Sequence, residues 1–399
     1  MSTKSLILLL VLLLGVSKLS SQEYYRAHEP ALSSGISRED LLALKLSAEG
    51  FFRNNEYASD LVADYTLPGY RLQADLSYTP KTQIPISLRL GATNIYYWGS
   101  SLYPAAIAYS DLPYWSGEGG RYTRFRLKPF FQAAITPAEG LAVILGNLEG
   151  GAKHELIEPL YNPELNLTAD REAGLQIKYI NPRSKFDIWV DWRSFIYKHD
   201  THPEAFVFGL HAQHRFAPLD KPSLELRLQA LAHHRGGVLN QRPDTVHSWS
   251  NATLGLVYMH PLKLGRHTAH WYASLYALGY AQRGGHYPVD KGWGGYIEAG
   301  FRWHRWHTRL ALWQGYNFIS VLGTPFVQSI GRAGREKIHS HTTRYLQLLG
   351  SYSILERKQY SLGASAALWY HTHSAHPISS HIEVYLNISP YFGLLKWKP

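Results

Sequence analysis

Tyr70-Arg71-Leu72-Gln73-Ala74-Asp75-Leu76-Ser77-Tyr78 alternates apolar and polar residues without a break. After Thr79-Pro80-Lys81-Thr82-Gln83 the alternation resumes at Ile84, Ile86, Leu88 and Leu90. Successive side chains of a strand point to opposite faces, so each run has one apolar and one wet face. The same pattern recurs to the C-terminus with almost no helical periodicity between. The chain therefore reads as all-β, a transmembrane antiparallel up-and-down β-barrel whose apolar face meets lipid.

The N-terminus carries the address that such a barrel needs. Lys4 precedes an apolar run from Leu6 to Val16, and Ser17 to Ser21 supply small residues before Gln22, the pattern of a cleaved signal peptide over 1–21. No later stretch approaches the roughly 20 apolar residues of a membrane helix. The 28 Tyr, 12 Trp and 14 Phe suit aromatic girdles at both membrane interfaces. With no Cys, disulfides and thiolate metal sites are excluded. The formal charge of +10 is spread along the chain, with no basic, aromatic-interleaved run to mark a nucleic-acid partner. The expected location is the outer membrane, in contact with its lipid and lipopolysaccharide.

At roughly 23 residues per strand and connection, the chain beyond the signal holds about 16 strands, with a range of about 14 to 18. Strand starts read near Tyr57, Gly69, Gln83, Tyr122, Leu141, Glu172, Lys185 and Ala205, then near Ser223, Asn251, Thr268, Gly292, Trp306, Thr343, Gln359 and Ser380. Alternate connections, such as Pro137–Gly140, Asn181–Ser184 and His304–Arg305, are short and rich in turn residues. The others are mostly long, which assigns short turns to the periplasm and long loops to the outside. Leu67-Pro68 reads as the one tight outer connection. Residues 22–56 read as a leader: Ser37-Arg38-Glu39-Asp40 before Leu41, Leu42, Leu44 and Leu46 resembles a capped helix in the lumen or at its periplasmic mouth. The barrel then occupies 57–399.

Alternation sends Arg124, Arg126 and Lys128 into the lumen as a basic stripe, with Arg71, Asp75, Asp187, Asp191, Arg193, Glu225 and Arg227. Cationic rings favour anions in pores, whereas opposite charges on neighbouring strands pair and only stabilise the wall. The acidic loop from Gly146 to Glu172 is placed to fold inward against the stripe. Clustered histidines on the long-loop side, namely His233, His234, His339, His341, His371 and His373, offer imidazoles to a metal or haem, though no motif fixes their spacing. Neither a Gly-x-Ser-x-Gly elbow nor a phosphate loop is present, and Ser340–His341 and His371–Ser374 are neighbours of a kind common by chance. The expectation is a barrel that is not an enzyme and needs no cofactor: a porin-like channel or solute-binding protein with mild preference for small anions. The alternatives are a non-conducting scaffold or export subunit with a protein partner, and a metal or haem receptor.

Gly50-Phe51-Phe52-Arg53-Asn54-Asn55-Glu56-Tyr57, Tyr65-Thr66-Leu67-Pro68-Gly69-Tyr70 and Gly146-Asn147-Leu148-Glu149-Gly150-Gly151 resemble segments of an uncharacterised family of outer-membrane barrels common in Bacteroidota. So do His154-Glu155-Leu156-Ile157-Glu158-Pro159-Leu160-Tyr161, Asp187-Ile188-Trp189-Val190-Asp191-Trp192 and His234-Arg235-Gly236-Gly237. The resemblance spans most of 50–260. It implies location and architecture, and no activity. The end of the chain departs from the usual terminal aromatic: either Tyr391-Phe392 closes the last strand, or the strand runs on to Trp397.

Overall fold

The computed structural model describes residues 40–57, 64–99, 126–197, 203–218, 220–237, 246–265, 267–285, 287–320, 322–331, 334–372, 374 and 376–397. Its strands are β1 (Asp40–Tyr57), β2 (Tyr65–Tyr78), β3 (Ile86–Tyr97), β4 (Arg126–Ala138), β5 (Leu141–Asn147), β6 (Ala173–Ile180) and β7 (Ser184–Ser194). They continue as β8 (Ala205–Arg215), β9 (Ser223–Arg235), β10 (His247–Leu264), β11 (His267–Arg283), β12 (Lys291–Trp303) and β13 (Trp306–Tyr316). Last come a small loop hairpin of β14 (Ile330–Gly331) and β15 (Gly334–Ile338), then β16 (Thr342–Glu356), β17 (Tyr360–His371), β18 (Ile378–Ile388) and β19 (Tyr391–Lys396).

Along β2 the burial pattern is the reverse of a soluble protein's. Leu72, Leu76 and Tyr78 are exposed, while Arg71, Gln73, Asp75 and Ser77 are buried. An apolar outside around a polar inside is the pattern of a barrel solvated by lipid. Each wall strand pairs antiparallel with its sequence neighbour, and β1 closes the ring by pairing with β2 on one side and with β18 and β19 on the other. Because β18 and β19 are two halves of one strand interrupted at Ser389-Pro390, and β14 and β15 stand apart, the wall has sixteen strands. The last strand thus resumes after Pro390 and runs to Lys396.

The count agrees with the sequence reading, but the first strand does not. The segment after Ser37-Arg38-Glu39 is no helix: from Asp40 it is β1, with Ala43, Lys45, Ser47, Glu49, Phe51 and Arg53 turned to the lumen. A four-Leu cluster has no strict period, and only the demand for a strand between β2 and β19 settles its conformation. Likewise the expected strand start at Tyr57 is the end of β1, β2 opens at Tyr65 with 58–63 outside the described residues, and Leu67-Pro68 is no turn. Both residues lie inside β2, where Pro68 still accepts a hydrogen bond from Trp98 N–H at 3.0 Å. Residues 1–39, including the expected signal peptide, lie outside the described residues.

The lumen is filled. Two long-side loops, 148–172 and 317–341, fold inward and meet: Asn162 N–H donates to Leu322 O at 2.7 Å, and Thr324 N–H to Glu158 O at 3.0 Å. Leu160, Leu165, Phe318, Ile319, Phe326 and Val327 from these loops are buried against Tyr57, Trp189, Leu231, Tyr296, Trp313, Tyr345 and Trp369 of the wall. A second cluster packs Leu167 among Phe51, Leu67, Ile95, Tyr97 and Tyr385. A barrel of this size can hold an aqueous channel. Here it holds a hydrophobic core of the kind found in soluble proteins.

With that core in place, the purified protein is expected to show no steady single-channel conductance in planar bilayers, and deletion of 149–171 is expected to open one. Steady steps from the intact chain would rule out a filled lumen.

Candidate functional site

The inward charges are largely consumed by one another. Asp75 accepts two bonds from Arg89 at 2.7 Å each and one from Gln73. Glu225 accepts from Arg215 at 2.9 Å and from Arg227 at 2.5 Å, and Asp191 pairs with Arg193 at 2.9 Å. Arg71 is buried and lines a cavity of about 40 Å³ with Lys128 and Asp170. Of the basic stripe, Lys128 pairs with Asp170 of the inward loop. Arg126 opens β4, and Arg124 lies outside the described residues. Breaking a buried pair such as Arg89–Asp75 by removing one partner typically costs about 3–5 kcal/mol.

The inward loop 148–172 is locked by one histidine. His154 bonds Asp187 through Nδ1 at 2.8 Å and Glu172 through Nε2 at 2.7 Å, and its ring stacks on Trp189 at 3.4 Å. Burial disfavours the imidazolium, but the two carboxylates outweigh it and raise the pKa to about 9. With both nitrogens engaged, this ring is a clasp and has no lone pair left for a base. The same loop is tied to the wall by Glu155 with Lys185 at 2.7 Å, Glu158 with Arg309 at 2.6 Å and Glu164 with Asn55 at 3.1 Å.

The candidate histidines that are described are spread over the wall and loops. His233 points inward and stacks on Trp249, whereas His234 points outward. His339 is exposed, His341 bonds Asn317 Oδ1 at 2.7 Å, and His373 lies outside the described residues. Among the described residues no three potential ligands converge.

Among the described residues the fold makes three serine–histidine pairs, none of them adjacent in sequence. His371 Nε2 meets Ser379 Oγ at 3.0 Å inside the lumen, where Phe326 packs on the ring at 4.6 Å. His214 meets Ser184 at 2.9 Å on the outer face beside a short turn. His234 Nδ1 meets Ser248 Oγ at 2.8 Å on the outer face at the long-loop end. Of the serines next to a histidine in sequence, Ser340 donates to Thr342 O and Ser374 Oγ accepts from His376 N–H at 3.2 Å.

Around Ser248 the cross-strand register lays out one outward row: Trp192 opposite Phe206, Phe206 opposite His234, His234 opposite Ser248, and Ser248 opposite Arg283. Trp192 stacks on Phe206 at 5.2 Å, and Phe206 lies 5.0 Å from the His234 ring. The next rows toward the barrel's middle carry only small side chains on β9, β10 and β11: Ala232, Ser250 and Ala281, then Ala230, Ala252 and Gly279. Sequence reasoning singled out His234 but missed Ser248 and Arg283. The connection 236–246 is too long for any turn type to fix their register.

The model of the Lipid A 3'-O-deacylase-type family matches residues 34–397, so the chain belongs to that family. This overturns the expectation of a non-enzymatic barrel, because the family is named for an ester-cleaving activity. It bears out the resemblance at the level of a family and gives that family its description. No curated protein matches the chain. Among solved structures it is similar to OccK8 (OprE) of Pseudomonas aeruginosa, with TM-score 0.48 and 10% identity over 89% of this chain and 98% of that one. It is also similar to OccAB3 of Acinetobacter baumannii, with TM-score 0.45 and 12% identity over 88% and 99%. The barrel is established by its own strand pairing, independently of these distant likenesses.

The His154 clasp carries a pH signature. Its pKa is raised in the fold, so its contribution is complete below the ordinary value of 6.5 and is lost as pH rises through about 9. Amides of 151–168 are expected to lose hydrogen-exchange protection across that window, after correction for intrinsic rates. Glu172→Gln should move the loss to lower pH. Protection that stays flat through the window would exclude the clasp.

Proposed function

We propose that this member of the Lipid A 3'-O-deacylase-type family cleaves an acyl ester of a membrane lipid on the outer face of the barrel, with Ser248 as nucleophile and His234 as its base. The carrying observation is the 2.8 Å contact between Ser248 Oγ and His234 Nδ1 on a lipid-facing row. A lipid reaches that row by lateral diffusion. The lumen pair, by contrast, sits under Phe326 in a packed core, and the Ser184 pair faces the other membrane boundary. An ester bond lies at the interface between headgroup and hydrocarbon, which is the level where Trp192 and Phe206 flank the pair.

In this reading Ser248 Oγ attacks the ester carbonyl and its proton passes to His234 Nδ1. The sugar oxygen leaves with that proton, and Ser248 is left acylated. Water then attacks the acyl carbon, yielding its proton to His234, and the fatty acid departs as Ser248 recovers its hydrogen. To accept at Nδ1, the neutral ring carries its hydrogen on Nε2, on the side of Gly237. The Ala and Gly rows below leave room for the acyl chain along the wall.

A second reading, the binding or passage of small anions, draws on a cavity of about 120 Å³ beneath the inward loops, lined in part by Lys185, Arg215, Arg227, Arg302 and Arg309. Passage would require the loops to move, and the bilayer recording above tests it.

Fatty-acid release from lipid A in mixed micelles distinguishes the serines. Ser248→Ala and His234→Ala should each cut turnover by about 10³-fold or more, while Ser379→Ala and Ser184→Ala should leave it near that of the wild type. Full activity in Ser248→Ala would exclude this assignment.

A further inference from the structure

Ser248 has a histidine on one side and a cation on the other. Arg283, at the end of β11, is directly opposite Ser248 in the register, points outward and is exposed. Among the described residues no carboxylate pairs with it, in contrast to the lumen, where Arg89, Arg215, Arg227 and Arg309 all bond carboxylates. The carboxylate of the neighbouring hairpin, Asp290, accepts from Gln282 Nε2 at 3.1 Å. Lys291 adds a second exposed cation on the same face, opposite Ala281.

We propose that Arg283 seats a phosphate of the lipid substrate beside the scissile ester, and so selects phosphorylated over dephosphorylated lipid. This rests on the reading of Ser248 as nucleophile. Lipid A carries a phosphate on the sugar carbon next to the 3' oxygen, so the anion and the scissile ester are close neighbours. Directly opposed residues on adjacent strands stand about 5 Å apart at Cβ, which matches that separation once a flexible guanidinium reaches out. The guanidinium fork also fits phosphate oxygens two at a time, which an ammonium does not. An exposed arginine that bonds no carboxylate among the described residues, at the level where headgroups begin, is placed to take an anion from the lipid.

The test uses the full-length protein with lipid A and with lipid A enzymatically stripped of phosphate. Arg283→Gln is expected to raise KM for the phosphorylated lipid by about tenfold, equivalent to about 1.4 kcal/mol, with kcat little changed and the stripped lipid unaffected. Arg283→Lys should recover part of the loss. An equal loss on both lipids, a loss confined to kcat, or no loss would each overturn the proposal. Flotation of Ser248→Ala protein with vesicles containing either lipid separates the two readings. Preference for phosphorylated vesicles that vanishes on adding Arg283→Gln upholds the phosphate seat even if Ser248 proves not to be the nucleophile, and binding without preference refutes it. Inorganic phosphate should not abolish that preference; if it does, Arg283 is a site for an adventitious ion only.

Discussion

The structure depends on the closure of one backbone ladder. In hydrocarbon every peptide N–H and C=O must find a partner within the protein, so a sheet with a free edge cannot span a bilayer. β1 supplies the closure: residues of its 18-residue span bond β2 on one side and the broken last strand on the other. Everything else hangs from that ring. The register it imposes decides which side chains meet across strands, and its circumference decides how much material the lumen must contain.

A ring of sixteen strands is wide enough for a water channel, yet this one is packed. The inward loops bring Leu160, Phe318 and Val327, each with essentially no exposure, into contact with aromatic residues from around the wall. Charged residues serve that packing, since Glu155, Glu158 and Glu164 on the loop are each met by a wall cation or amide. A cylinder packed by its own loops makes a poor conduit and a good scaffold. It holds a row of outward side chains in fixed register at the membrane boundary, where a lipid can approach from the side.

Much of the fold was legible locally. Period-two alternation, repeated between short turns, yields the number of strands, their inside and outside, and which end carries the long loops. It failed at residues 40–46, where clustered leucines beside a polar cap imitate a helix, and at Leu67-Pro68, where a turn-type proline lies inside a strand. In both places the neighbouring strands override local preference by offering hydrogen-bond partners on both sides. The site was far less legible. His371 was visible as a candidate, but its partner proved to be Ser379, and His233 and His234 diverged to opposite faces because adjacent strand residues must.

By itself, then, the sequence determined a lipid-solvated barrel of about sixteen strands, the facing of residues on most of its strands, and an acidic loop placed to fold inward. Only the tertiary structure decided that the lumen is filled, and that Trp192, Phe206, His234, Ser248 and Arg283 form one row. The physical reason is the range of the information. Alternation is a property of a single strand and is written in neighbouring residues, whereas lateral register couples strands joined by long connections and is set by the closure of the whole ring.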